Sequence, residues 1–357
     1  MTDSPTRIGH SYFLKNGNDG LFLSVHDHSA SNETANTWKL DNKDAQAWYL
    51  MPVDDDFYIV LHKHSGLALS AAADDLGPFA LPAQTHGFEG WDTQLWRLEK
   101  AGNRWRLAVK QNGRVLNPYG QPLHEPHDVV VLPVVDNLED TQTWSFEDAG
   151  PFIGLENLPD LGTNVNDIPD VVRLTDFKVP PDHSQEKAVA RALVPCVFVN
   201  DSGMDTRTRA RQSPWYIMTR YGSWDLVYYY DHNGQEERTD TKEVTVGLTT
   251  ANSKEITETT GIQVTAEAGF EFKGVSAKIS TTYSHQLQVK TTHSEKIENT
   301  KKHTVSQKIF KDGVRRAYAR WMRADRYVLT RADGSKVLEW RTRNEDIAVS
   351  DTWPHTF

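Results

Sequence analysis

The sequence predicts an all-β protein made of two unlike halves, and three observations predict it. A QxW triplet recurs three times in the first 150 residues, as Gln46-Ala47-Trp48, Gln94-Leu95-Trp96 and Gln142-Thr143-Trp144, at a strict spacing of 48 residues. The repeats read as short strands, with no helix-period segment between them. Beyond them, residues 239–306 hold 21 Ser or Thr in 68 positions and no Pro, a composition that favours long strands.

Each repeat can be followed element by element. Gly20-Leu21-Phe22-Leu23-Ser24, Gly66-Leu67-Ala68-Leu69-Ser70 and Gly113-Arg114-Val115-Leu116-Asn117 each open a short strand behind a glycine. Leu50, Leu98 and Phe146 follow the three triplets two residues on. One such unit cannot bury a core, but three closing on each other can. Trp48, Trp96 and Trp144 then occupy equivalent core positions. Gln46, Gln94 and Gln142 suit buried amides that bond backbone at a turn, so the triplet is read as core-building first and ligand-contacting second.

Length and charge bound the rest. At 357 residues two domains are expected: 1–148, then a Pro-rich linker 149–190 with few apolar runs, then 191–357. Residues 1–148 carry 11 Lys+Arg against 21 Asp+Glu, and the remainder is balanced. An acidic first half is a poor partner for nucleic acid or anionic lipid. There is no 18-residue apolar run for a transmembrane helix and no basic-then-apolar start for a secretion signal. The lone Cys196, in an apolar strand, reads as a buried inert thiol.

Enzyme motifs are missing: no HExxH, no GxSxG and no glycine-rich phosphate loop. Glu267 and Glu271 lie on one strand face but roughly 13 Å apart, too far for paired glycosidase carboxylates. His26/His28 and His62/His64 could each share a metal on a strand face, but neither has a third ligand at fixed spacing, so exposed strand-end histidines are expected. Neither enzyme activity, a metal nor a cofactor is expected. Arg7, Arg207, Arg209 and Arg211 are candidate tryptic sites.

The strongest functional pattern lies at 262–289. Ile262, Val264, Ala266, Ala268, Phe270 and Phe272 alternate with polar residues; after Lys273-Gly274 the alternation resumes at Val275, Ala277 and Ile279 and runs to Val289. A two-residue turn at 273–274 sets Phe272 against Val275, Phe270 against Ala277 and Ala268 against Ile279, all on one face. Each arm has roughly the 9–11 residues of a bilayer-crossing strand, with a Ser/Thr/Glu/Lys face for a water-filled lumen. One hairpin cannot sit in lipid with unpaired edge amides, so several chains must close a barrel. Thr281 and His285 interrupt the lipid-facing stripe, and in the soluble state the apolar face is expected to pack on its own domain.

The QxW repeats resemble the ricin-type β-trefoil. The resemblance implies sugar pockets built from an acidic residue after the glycine-led strand, an aromatic platform and an Asn before the Gln. Ser24, Ser70 and Asn117 stand at or near the acidic positions, so a sugar site is expected only around Asp27, His28, Trp38 and Asn42. His86, Phe88 and Trp91 form a second polar-aromatic cluster; Tyr119, His124 and His127 form a third.

The whole chain resembles the binary insecticidal toxins of spore-forming bacilli. The resemblance rests on Trp48-Tyr49-Leu50-Met51-Pro52-Val53 followed by Asp54-Asp55-Asp56, on Leu193-Val194-Pro195-Cys196, on Asn200-Asp201 and on Pro214-Trp215-Tyr216-Ile217. It implies a receptor-binding trefoil ahead of an elongated, aerolysin-like pore-forming domain. The implied partners are a cell-surface glycan or protein receptor, the target membrane after oligomerisation, and a second toxin component. The implied life is storage in the producer cytoplasm or a parasporal inclusion and action outside it. The rival expectation is a lectin-like binding protein, or the receptor-binding half of a pair, that never inserts.

Overall fold

The computed structural model describes residues 6–25, 33–41, 44–53, 57–72, 80–119, 127–152, 158–164, 166–248, 253–263, 271–272, 287 and 301–355. Each QxW repeat supplies four strands. The first has β1 (His10–Asn16), β2 (Phe22–Val25), β3 (Ala35–Trp38) and β4 (Trp48–Pro52); the second has β5 (Phe57–His62), β6 (Ala68–Ala71), β7 (Leu81–His86) and β8 (Trp96–Ala101). The third has β9 (Arg104–Val109), β10 (Val115–Tyr119), β11 (His127–Leu132) and β12 (Trp144–Pro151).

Every repeat closes on itself through its outer strands, with Tyr12 opposite Trp48, Tyr58 opposite Trp96 and Trp105 opposite Trp144. The repeats join through β4–β5, β8–β9 and β12–β1. These six strands form a closed ring without an open edge. The remaining six make three hairpins, which meet through β3–β11 and β7–β11 pairs. This is the β-trefoil. The turn into each hairpin is the same: Gly20, Gly66 and Gly113 sit at φ 72°, 74° and 72°. Their N–H groups bond the carbonyls of Asn16, His62 and Val109. A side chain is disfavoured there, which is why glycine leads each strand. Leu14, Trp48, Leu50, Trp96, Leu107, Leu116 and Trp144 share the trefoil core.

The second half is a six-stranded antiparallel sheet. Its strands are β13 (Lys187–Pro195), β14 (Trp215–His232), β15 (Arg238–Leu248), β18 (Lys301–Ile309), β19 (Arg316–Thr330) and β20 (Lys336–Trp353), in the order β13-β14-β19-β20-β15-β18. At 18 residues, β14 spans roughly 55–60 Å by a rise of about 3.3 Å per residue. It pairs with β19 from Ile217 opposite Thr330 to His232 opposite Arg316. This is the elongated long-strand domain that the sequence leads one to expect.

Two expectations need correcting. The Ser/Thr-rich run is not all strand: helix α2 (Ser253–Thr260) interrupts it, followed by the short β16 (Ile262–Gln263) and β17 (Glu271–Phe272). Three threonines in α2 carry low helix propensity, so tertiary packing decides its form. Ile256 and Thr260 are fully buried, and Thr260 accepts the Asn200 N–H through its carbonyl at 2.9 Å. A second helix, α1 (Thr206–Gln212), is capped by Asp205, whose carboxylate accepts the Thr208 N–H at 2.7 Å. The described part of 158–186 is also no free tether. Val171 and Leu174 bury against Ala317, Ala319 and Trp321, and the Leu174 N–H bonds Asp351. The few apolar residues there are placed to cover the sheet.

Trefoil and sheet share one core. Trp215 meets Tyr49 edge-on at 5.0 Å and stacks on Phe152 at 5.1 Å, while Phe88 meets Phe198 at 5.7 Å. The approach is so close that a Cβ on Gly66 would fall 2.5 Å from the Thr206 carbonyl oxygen.

Candidate receptor-binding and membrane-insertion sites

The three QxW glutamines perform one job three times. The Gln46 amide donates to Lys39 O and accepts from Asp41 N; Gln94 does the same with Gly87 O and Glu89 N, and Gln142 with Pro133 O and Val135 N. The indole N–H groups of Trp48, Trp96 and Trp144 donate to Leu23 O, Leu69 O and Leu116 O at 3.1, 2.9 and 3.2 Å. All six side chains are 0% exposed. With every polar atom of these amides engaged, none is left for a ligand.

What the glutamines pin is a loop at each corner, and the second of these carries the exposed Trp91. The bonding pattern makes Trp38 and His86 equivalent, each one residue before the carbonyl that its Gln holds. Both stand eight residues before a QxW glutamine, a signal that could have been read from sequence. Trp38 is half-buried at the end of β3, its indole donating to Asp41 at 2.8 Å. Its expected companions Asp27, His28 and Asn42 lie outside the described residues. In the second repeat His86 and Trp91 come together, rings 5.1 Å apart, and Trp91 is 49% exposed. The His86 ring nitrogen Nδ1 lies 2.8 Å from Gly87 O, which orients the ring. Phe88 does not join them; it turns into the junction against Phe198.

The third repeat is thinner. Tyr119 ends β10 opposite Asp128 and is 60% exposed; His124 lies outside the described residues. Val134 and Val135 are exposed in its loop, with no aromatic platform. Ser24, Ser70 and Asn117 are buried and neutral. The Ser70 hydroxyl donates to Ala71 O and the Asn117 amide to Pro118 O. No carboxylate stands at those three positions to bind sugar hydroxyls.

His62 corrects the expectation of exposed strand-end histidines. It is fully buried, lies tilted against Trp48 with ring centres 4.8 Å apart, and bonds Ser65 and Ala45 O at 2.8 Å each. Its neighbour His64 meets Arg207 at 2.5 Å. Among the described residues no group of three or more His, Cys, Asp or Glu could hold a metal. Cys196 is buried, and burial pushes its thiol up to about 12. Arg209 is no open tryptic site, since its guanidinium bonds the carbonyls of Cys196 and Val199.

Of the hairpin, Ile262 is fully buried, in the core shared with Ile256, Tyr216, Met218 and Leu287. Ile262 pairs with Phe272 and Gln263 with Glu271, antiparallel. Residues 262–263 and 271–272 therefore face each other in this state and do not follow one another along one extended strand. Val264, Ala266, Ala268, Phe270, Val275, Ala277 and Ile279 lie outside the described residues. Gly261, at φ 72°, turns the chain from α2 into β16, with the Thr260 hydroxyl accepting the Ile262 N–H at 3.2 Å. Among the described residues no helix is long and apolar enough to cross a membrane, which says nothing of strands.

Comparison with known proteins agrees with this architecture. Residues 188–355 match the family model described as Insecticidal Crystal Toxin, P42, and residues 4–80 the one described as Ricin-type beta-trefoil lectin domain-like. The insecticidal crystal protein Cry35Ab1 of Bacillus thuringiensis is 23% identical over 296 residues, 80% of this chain and 74% of that protein. The crystal structure of Cry35Ab1 superposes with a TM-score of 0.74 at 18% identity, covering 98% of this chain and 91% of that one. The designed threefold-symmetric protein ThreeFoil matches 39% of this chain and 98% of its own at 23% identity, with a TM-score of 0.36. Over most of its length the chain is thus similar to an insecticidal crystal protein, with a ricin-type β-trefoil lectin-like match at residues 4–80 ahead of an insecticidal-crystal-toxin match at residues 188–355.

Proposed function

We propose that this chain is a β-pore-forming component of a two-component insecticidal toxin. Its trefoil engages a glycan or protein receptor on the target cell, through the aromatic loops around Trp38 and around His86 and Trp91. After oligomerisation the 262–289 hairpin crosses the membrane as part of a β-barrel.

One observation supports this reading above the rest. Strands β15 and β18 form a two-stranded ribbon with unbroken register, from Arg238 opposite Ile309 to Val246 opposite Lys301. Continue that ladder one residue at a time on both strands. It brings Ala268 opposite Ile279, Phe270 opposite Ala277 and Phe272 opposite Val275, with Lys273-Gly274 left as the turn. This is the register that the alternation of 262–289 demands by itself. The faces agree as well: Val244, Val246, Val305 and Ile309, the buried residues of the ribbon, fall on the face that carries the apolar stripe of the hairpin. A one-residue slip would have put them on opposite faces. The whole of 238–309 is thus written as one hairpin, interrupted in the soluble state by α2 and the β16–β17 pairing.

Thr281 and His285 on the apolar stripe favour the rival, a receptor-binding half that never inserts. Dye release from target-membrane liposomes separates the two, with wild type set against Ala268→Lys. A charge on the lipid-facing side near mid-membrane costs about 2–4 kcal/mol per chain. Leakage by wild type and none by a folded Ala268→Lys is the expected result. If wild type binds cells but never leaks, alone or with a partner component and after proteolysis, the pore reading fails.

A further inference from the structure

The sheet holds a charged cluster under the chain that would have to leave. Arg220 on β14 is 0% exposed and meets Asp325 on β19, also 0% exposed, through Nε at 3.1 Å and Nη2 at 3.0 Å. Arg323 shares the same carboxylate at 3.1 Å. The guanidinium lies 5.9 Å from the ring centre of Tyr327, which stacks on Trp340 at 5.2 Å and 11°. Two of its nitrogens are thus fixed by Asp325 and its plane by an aromatic stack. The third, Nη1, donates to the carbonyl oxygen of Leu287 at 2.9 Å.

Leu287 belongs to the second arm of the hairpin, and it is the one described residue between Phe272 and Lys301. Its side chain is fully buried in the core that also takes Ile256 and Ile262. A charge-assisted bond from a dry guanidinium to a backbone carbonyl is among the stronger hydrogen bonds. It is also independent of the side chain at 287, so it holds the chain there by its backbone. In the extended hairpin the same carbonyl lies far up the ribbon axis from Arg220 and must be let go first.

We infer that Arg220, positioned by Asp325 and the Tyr327–Trp340 stack, is the latch that holds the chain to the sheet at Leu287, and that breaking its bond to Leu287 gates insertion. This rests on the pore-forming reading above, and it makes Arg220 a positioning residue. The test uses two variants of the full chain. Arg220→Lys keeps the charge, but a single ammonium cannot serve both Asp325 oxygens and the Leu287 carbonyl. Leu287→Ala leaves the charged cluster intact and removes the apolar anchor.

Hydrogen–deuterium exchange of peptides spanning 271–290 is read beside the global unfolding midpoint and the lag before dye release. Arg220→Lys is expected to exchange about tenfold faster in that stretch than wild type, the scale of one lost charge-assisted bond, while Leu287→Ala, which keeps that bond, reports the apolar anchor separately. Peptides of the trefoil should stay unchanged and the leakage lag should shorten. If 271–290 exchanges at the wild-type rate while only the global midpoint falls, Arg220 is merely structural and the latch is overturned. Should Arg220→Lys not fold, Arg220→Gln decides in its place: its short neutral amide cannot serve Asp325 and the Leu287 carbonyl together, while Arg323 still pairs Asp325. If exchange accelerates while no protein, wild type included, ever leaks, the latch stands and the pore reading falls.

Discussion

A cysteine pair at Gln263 and Glu271 would lock the chain in its soluble arrangement. The two residues are direct antiparallel partners in this state, so their Cα atoms lie within disulfide reach. In the continuous hairpin they sit eight residues apart along one strand. That is roughly 26 Å at about 3.3 Å per residue, against the 4.4–6.8 Å that a disulfide tolerates. The shortfall of about 20 Å excludes the hairpin while the bond is intact. The only native cysteine does not interfere, because Cys196 is buried with its thiol raised to about 12. The assay is dye release from target-membrane vesicles by the oxidised and the reduced double variant. Oxidised protein should bind but leak at the buffer rate, and a reductant should restore leakage. A second pair, Thr245→Cys with Lys302→Cys, bridges partners of the ribbon that remain partners in the hairpin; oxidising it should leave leakage intact. Equal leakage by the oxidised and reduced 263–271 variant would refute the reasoning, since the pore would then form without opening the β16–β17 pair.

Two further predictions concern the scaffold. Gln94→Met leaves the part-buried Gly87 O and Glu89 N without the amide that bonds them; with a full penalty of about 1–3 kcal/mol for a buried group, and water reaching these two in part, the trefoil loses roughly 1–3 kcal/mol in urea denaturation. The same change frees the loop that carries Trp91, so cell binding should weaken with it, and a loss below about 1 kcal/mol would show that the amide is dispensable. The second concerns pH. The Arg331 guanidinium, opposed by burial and helped by the Tyr216 hydroxyl, holds the Asp201 carboxyl down at about 2. A carboxylate lowered in the folded state stabilises it above the unfolded value near 3.9 and loses that contribution as pH falls through about 2. Stability of about 2 kcal/mol should therefore disappear between roughly pH 4 and pH 2, and Asp201→Asn should flatten the denaturation midpoint over that window. Parallel loss in wild type and variant would assign the acid sensitivity elsewhere.

Much of the fold was legible because its signals are local. The QxW spacing and the glycine that leads each hairpin are short-range patterns, and backbone geometry alone ties them to a trefoil. The acidic charge ended with the trefoil in sequence, and the first sheet ends close by, at Pro151. The candidate sites were half legible. Trp91 and His86 were grouped by proximity, but Phe88 beside them serves the junction, because only the docked sheet supplies Phe198 to receive it. His62 looked like a strand-end histidine, and nothing in its neighbours in sequence announces Trp48, Ala45 O and Ser65 around its ring.

The sequence by itself determined the threefold closure and the long-strand character of the second half, since each depends on residues a few positions apart. Tertiary structure alone decided three things. It folds a threonine-rich stretch into helix α2, by burying Ile256 and Thr260 against the sheet. It pairs Ile262 with Phe272 and Gln263 with Glu271, where the alternation alone leads one to expect a single continuous arm. It sets Arg220 beneath Leu287, 67 positions away. Those outcomes rest on contacts between segments far apart in the chain, where a buried charge or a backbone carbonyl finds its partner only after the sheet has formed.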